Sequence, residues 1–228
     1  MDAGLVMTQR RFRVGAVHAL MNAIPTTQAA FDRGWSAAEV AHLLDGSLYL
    51  DRSQGTADEP ELASRIDRLI RYSASTGAEG IIVTGSFFGA FVKRAREGMT
   101  IPVETSFDGI IERALILDRP LHVLATAPDS ATLLSAELER EAAERSRRVT
   151  LSRGAVAGAM DALVGGDVER HDRLVLKAVR AVQPGTPILF AQFSMERILP
   201  ESAAVREAPV IGPASEGVAR LRRMITAR

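Results

Sequence analysis

The 228 residues contain no cysteine. Disulfides, thiolate metal sites and every thiol nucleophile are thereby excluded. Histidine is scarce, so imidazole chemistry has only His18, His42, His122 and His171 to draw on. Neither sign of charge is in excess: 28 Lys and Arg balance 28 Asp and Glu, and no global field favours nucleic acid or an anionic membrane. No apolar run approaches the roughly 20 residues of a membrane span. The stretch from Met1 to Arg13 lacks the apolar centre of a secretory signal, so a cytoplasmic protein is expected. Phosphate loops are missing too, because Gly165, Gly166 and Gly185 stand outside any glycine-rich motif. No His, Asp and Glu residues recur at metal-ligand spacing, and neither a metal nor a cofactor is expected.

What the chain does have is enough apolar residue, 46%, for a full core in one α/β domain or two small lobes. Strand-like runs span Phe12 to Ala19, Val40 to Leu44, Gly80 to Thr84, Ile101 to Val103, Leu121 to Thr126, Pro187 to Ala191 and Pro209 to Ile211. Several are continuous rather than alternating, as in parallel strands buried on both faces. Helical patterns fall between them at Glu59 to Ser75, Phe87 to Glu97, Phe107 to Leu117, Pro128 to Arg145, Asp167 to Val182 and Pro213 to Arg228. This order predicts a parallel α/β architecture. The segment Arg52 to Glu59 reads as a linker, either a flap or a plain surface loop.

In open α/β sheets ligands bind beyond the carboxyl ends of the strands, so the turns leaving each strand are where chemistry is sought. Here those turns are small and hydroxyl-rich: Asn22 with Thr26 and Thr27, Thr84-Gly85-Ser86, Glu104-Thr105-Ser106, Thr126 to Ser130, and Gln192-Phe193-Ser194. Hydroxyls and free helix N-terminal amides at so many strand ends predict a site for a small carboxylate, although any one Ser or Thr taken singly is better explained as a helix cap. Two stretches echo each other, "IIVTGSFFG" from Ile81 and "ILFAQFSME" from Ile188, each running strand, turn, serine, helix. The echo suggests two similar lobes that face each other.

Seven ordered stretches carry a family resemblance. They are "VGAVHALMNAIPTTQAAF" from Val14, "HLLDGSL" from His42, "GIIVTGSFFG" from Gly80, "IPVETSFDGIIERAL" from Ile101, "VLATAPDS" from Val123, "GDVERHDRLV" from Gly166 and "AQFSMERI" from Ala191. Through them the chain resembles the aspartate/glutamate/hydantoin racemase superfamily. The resemblance implies two pseudo-twofold-related lobes with a mainly parallel sheet in each, a cleft between them, a small carboxylate ligand and a homo-oligomer. The expected division is 1–106 for the first lobe, 107–212 for the second, and a C-terminal helix over 213–228 packed back on the first. In the family each lobe offers a cysteine at a strand-to-helix turn, and the two thiols handle a proton on opposite faces of a carbon next to a carboxylate. Those positions fall here on Gly85 and Gln192. A methylene has no proton chemistry, and a primary amide exchanges hydrogen bonds without taking a proton.

Three explanations suit Gly85. It fits a different chemistry, as in the arylmalonate decarboxylases of the family, which place a glycine and hydroxyls there but keep the second thiol that Gln192 cannot replace. Alternatively another side chain does the acid/base work, or the glycine was introduced into a thiol-bearing parent. What carries over is a set of ligand contacts: Thr84, Gly85, Ser86 and Phe87 from the first lobe, and Thr126, Gln192, Phe193, Ser194 and Met195 from the second. Met195, Phe87, Phe88 and Phe193 also suit core packing.

The acid/base candidates are His18, Asp45 and Glu104, each at a strand end. His18 has an unperturbed pKa of roughly 6.5, suited to proton transfer, and is equally readable as a satisfied histidine in the wall. Asp45 and Glu104 are also readable as caps or arginine partners. His42 and His122 fall near strand beginnings and are expected to be structural, while His171 is expected on a helix surface. Ser86 and Ser194 lack a nucleophile elbow and read as ligand-holding hydroxyls. The function expected is a diverged isomerase or lyase acting without cysteine beside a carboxylate; the alternative is a silent carboxylate-binding or regulatory protein.

Overall fold

The computed structural model describes residues 10–228, so residues 1–9 of the expected first lobe lie outside the described residues. The described residues form two four-stranded parallel sheets. One contains β1 (Phe12–His18), β2 (Ala38–Leu44), β3 (Gly80–Val83) and β4 (Val103–Glu104) in the order β2-β1-β3-β4. The other contains β5 (Leu121–Ala125), β6 (Leu151–Ala155), β7 (Ile188–Phe190) and β8 (Val210–Ile211) in the order β6-β5-β7-β8. The two sheets share one connectivity, and the echoing stretches are the third strand of each with the turn that follows it.

The central strands form because they are aliphatic on both faces. Val14, Ala16 and Val17 of β1, Ile81 to Val83 of β3 and Ile188 to Phe190 of β7 are all buried, with helices over either side. Strand β6 is absent from the sequence expectation, and its composition explains why. "LSRGA" is an edge strand paired only with β5 and mostly open to solvent, so neither apolar alternation nor an apolar run marks it.

Among the described residues ten α-helices cover the sheets. In the first half they are α1 (Ala23–Gly34), α2 (Ser47–Gln54), α3 (Glu59–Ser75) and α4 (Gly89–Arg96). Next come α5 (Asp108–Leu117), α6 (Pro128–Glu144), α7 (Ala159–Val164), α8 (Val168–Ala181), α9 (Leu199–Ala204) and α10 (Pro213–Thr226). Helix α3 starts where Asp58 accepts a hydrogen bond from the Glu61 amide at 2.8 Å, and the apolar side chains Leu62, Ile66 and Ile70 bury one of its faces.

Helices α1 and α2 were not expected. Asn22, Thr26 and Thr27 read as a turn, yet Pro25 between them is tolerated in a helix's first turn, where its missing N–H has no partner to lose. Burial of Ala30 and Phe31 against the sheet then fixes the helix. Half of the supposed linker is helical: Arg52 to Gln54 are the last turn of α2, Gly55 caps it in the left-handed conformation, and Glu59 opens the next helix. Helix α10 closes the chain by burying Ala214, Val218, Leu221 and Ile225 with Val14, Phe31, Trp35 and Ile82 of the first half.

His171 is also corrected: it is fully buried, and its Nδ1 lies 2.8 Å from Asp172, which in turn accepts from Arg197. Among the described residues no helix is long and apolar enough to cross a membrane.

Candidate active site between the two sheets

A 2-1-3-4 strand order reverses direction between its first and third strands, and the turns on either side of that reversal part to leave a crevice. Both sheets have this order, and their crevices face each other. The turns after β1, β3, β5 and β7 together enclose a cavity of about 160 Å³. That volume suits a ligand about the size of a benzene ring.

Of the nine expected contacts, Thr84, Gly85, Ser86, Phe87, Gln192, Phe193 and Ser194 line this cavity, joined by Ser106, Ser130, Tyr49 and Met160. Thr126 stands behind Gln192, and Met195 points into the core of the second half. None of the lining residues is Asp, Glu, His, Lys or Arg, and Tyr49 is the one titratable side chain among them.

Gly85 holds φ at +104° and ψ at +95°, a conformation reserved in practice for glycine. A Cβ there would lie 3.1 Å from the Phe88 ring. A cysteine at this position would thus carry backbone strain of about 1–3 kcal/mol. Gly85 is the residue this turn requires, and it delivers Ser86 and Phe87 as the first residues of a 3₁₀ turn, whose amides have no intrahelical partner. The Phe87 ring is covered by the Arg52 guanidinium, 4.2 Å from its centre, which fixes the aromatic wall. Ser86 and Ser130 hydroxyls meet at 3.4 Å and bring the two halves together across the cavity.

Gln192 is anchored through its oxygen. Oε1 accepts from the Thr126 amide at 2.6 Å, the Thr126 hydroxyl at 2.9 Å and the Ala127 amide at 3.2 Å. These donors sit at the N-terminus of α6, where an anion would otherwise be welcome. The amide orientation is settled by them, and the Nε2 donors of Gln192 are left to the cavity.

The three acid/base candidates lie outside the lining. His18 is fully buried behind Thr84; its Nδ1 is 3.0 Å from Thr84 Oγ1 and its Nε2 2.9 Å from His42 Nδ1. His42 is the fifth residue of β2, in the ligand half of the strand rather than near its beginning. Asp45 pairs with Arg65 at 2.9 Å and accepts the Ser47 amide; partial burial opposes ionisation, but these bonds hold its carboxyl below the ordinary value. Glu104 is buried against Arg220. Burial and the neighbouring Asp108 push its carboxyl up to about 7, against the opposing pull of Arg220. Among the described residues no three His, Asp or Glu side chains gather as metal ligands would.

Burial, reinforced by His42, lowers the His18 pKa to about 4. The unfolded chain therefore binds a proton at His18 between pH 6.5 and 4 that the folded chain refuses. The stabilising contribution of the neutral ring is complete above pH 6.5 and lost as pH falls toward 4, an effect of about 3 kcal/mol. Glu104 titrates with the opposite sign over part of this range, so the expected result is a difference: the gap in denaturant stability between wild type and His18→Gln should shrink by that amount on acidification. A gap independent of pH would show that His18 is not held neutral by the fold.

No curated protein sequence matches the chain. Solved structures do match in fold. An allantoin racemase from Klebsiella pneumoniae superposes with a TM-score of 0.69 at 15% identity, covering 95% of this chain and 88% of that one. A glutamate racemase from Bacillus anthracis gives 0.68 at 12% identity, covering 96% and 83%. The Francisella tularensis glutamate racemase in complex with D-glutamate gives 0.66 at 13%, covering 95% and 82%. These likenesses establish the fold. The family model described as Asp/Glu/Hydantoin racemase matches residues 25–221, which include every turn of the cavity except the one after β1, and the chain belongs to that family.

Proposed function

We propose that the chain is an isomerase or lyase that moves a proton on the carbon next to a carboxylate in a small substrate, without a thiol. The observation that carries this reading is the facing pair of strand-end turns. They surround a ligand-sized space with unpartnered amides and hydroxyls and with no ionised side chain. Amides at Ser86 and Phe87 suit a carboxylate, and the Gln192 Nε2 donors suit a second oxygen of the same ligand.

The remainder of the ligand is apolar on this reading. An ammonium or a second carboxylate would lie beside Leu20, Met160 and Val164 with no counter-charge among the lining residues, at a desolvation cost they do not offset. That separates the preferred substrate from aspartate and glutamate. A second reading, a carboxylate-binding protein without chemistry, is favoured by the single titratable group among the lining residues. A homo-oligomer is proposed on the family resemblance.

Proton NMR in D2O over a panel of small carboxylic acids, 2-amino acids, hydantoins and substituted malonates tests both readings. The expected result is deuterium uptake beside the carboxylate, or loss of carbon dioxide, for members with apolar substituents. Binding without either would favour the silent protein, and preferential turnover of acidic amino acids would overturn the apolar assignment.

A further inference from the structure

Thr84 is the cavity end of an unbroken hydrogen-bonded chain. From its Oγ1 the chain passes to His18 Nδ1 at 3.0 Å, from His18 Nε2 to His42 Nδ1 at 2.9 Å, and from His42 Nε2 to Gln28 Oε1 at 2.9 Å. It ends where Gln28 Nε2 donates to Asp32 Oδ1 at 2.7 Å on the exposed side of α1. His42 and Gln28 line a separate, more open depression along β2, so the chain connects the cavity to solvent through the buried His18.

Its direction follows from the last link. The Asp32 carboxylate only accepts, so Gln28 turns its Nε2 to Asp32 and its Oε1 to His42. An amide oxygen also only accepts, so His42 carries its proton on Nε2 and leaves Nδ1 bare. His18 must then carry its proton on Nε2, which leaves its Nδ1 bare to accept the Thr84 hydroxyl. One exposed carboxylate thus sets two histidine tautomers and turns the Thr84 lone pairs away from His18.

We propose that Thr84, His18, His42, Gln28 and Asp32 form a directional proton relay that serves the position where the family keeps its first thiol, with Thr84 as the catalytic residue and His18 and His42 as the path to solvent. The assignment rests on the ligand class proposed above. As a substrate C–H bond breaks, its electron pair stays on the carbon and its proton goes to Thr84 Oγ1. The Thr84 hydroxyl proton passes to His18 Nδ1, and the His18 Nε2 proton passes to His42 Nδ1. His42 becomes the imidazolium, half-buried and able to exchange with water. Reversal of the path returns a solvent-derived proton to the same face of the carbon.

The test combines histidine ¹⁵N NMR with the deuterium assay. Both His18 and His42 should be neutral Nε2–H tautomers at neutral pH. Asp32→Lys, on an exposed side chain, presents a donor in place of an acceptor and should invert the chain, turning both rings to Nδ1–H. Deuterium uptake should then fall about a hundredfold, while the Ser86 and Gln192 amide shifts on ligand addition persist. Gln28→Glu, which still accepts from His42 Nε2, should keep both rings as Nε2–H tautomers. Nδ1–H or mixed tautomers in the wild type would overturn the relay, as would inversion by Asp32→Lys with no loss of exchange. A ligand that binds but exchanges no hydrogen would overturn the relay and leave the ligand class standing; a panel in which nothing binds would overturn the ligand class, and the relay's role with it.

Discussion

Glu196→Ala should lower the stability of the fold by about 3 kcal/mol, equivalent to a fall in Tm of about 9 °C for a chain of this size. Glu196 is completely buried, and its carboxylate accepts the Ala214 amide, the Ser215 amide at 2.7 Å and the Ser215 hydroxyl. Those groups open α10, which has no local side-chain cap. The carboxylate is therefore the N-cap of a helix 18 residues further along the chain, and it ties the turn after β7 to the helix that packs on the first sheet. Gly212 has no side chain because the Glu196 carboxyl occupies the place, with Oε2 2.4 Å from where a Cβ would be. Alanine at 196 removes a cap worth about 1–2 kcal/mol and leaves a buried amide unpaired at about 1–3 kcal/mol. Relief of the buried charge offsets part of that sum. Arg33 lies 4.0 Å away and is half exposed, so Arg33→Ala should change stability by less than about 0.5 kcal/mol. Equal losses in the two variants, measured by thermal melting, would mean that the ion pair and not the helix terminus holds Glu196.

Glu196 shows where sequence reading stops. It lies inside the recognisable stretch "AQFSMERI", yet its partners are reached only when α10 folds back across the molecule. The parts legible in the sequence are those whose signal is local. Buried parallel strands are continuous aliphatic runs, so β1, β3, β5 and β7 are readable, and the strand-end rule then points to Thr84–Ser86 and Gln192–Ser194. The edge strand β6 depends on its pairing with β5, and the helices α1 and α2 on tertiary packing that overrides weak local preference. The relay was hidden for another reason. Ala16 of β1 lies opposite His42 of β2, which makes His18 a diagonal neighbour of His42 on the same face. That adjacency needs both the pairing of β1 with β2 and its register, and a run of residues specifies neither. Treating each histidine singly, by its place along its own strand, put His42 at the wrong end and left Thr84 without a visible base. The role of Gly85 was equally out of reach, because a positive φ is a property of the turn and not of the letters around it.

Gln192→Glu should weaken carboxylate binding by a hundredfold or more, about 3 kcal/mol, without weakening the fold. A glutamate here keeps an oxygen for the Thr126 and Ala127 donors, and its charge meets the favourable end of the 17-residue helix α6. Stability is therefore unchanged or slightly higher. What changes is the other end of the group: two N–H donors become an oxygen with a negative charge, facing a cavity that has no ionised lining residue to balance it. Gln192→Ala separates the two contributions. It removes the cavity donor but also empties the donor site at α6, so a ligand with a second carboxylate, such as malonate, should gain relative to one with a single carboxylate. Titration calorimetry with both ligand types against all three proteins decides the matter. Equal affinities in wild type and Gln192→Glu would place the ligand away from Gln192. If Gln192→Ala then behaved like Gln192→Glu toward malonate, the amides of Thr126 and Ala127 would be closed to any ligand, and recognition would belong to the first-sheet turn alone.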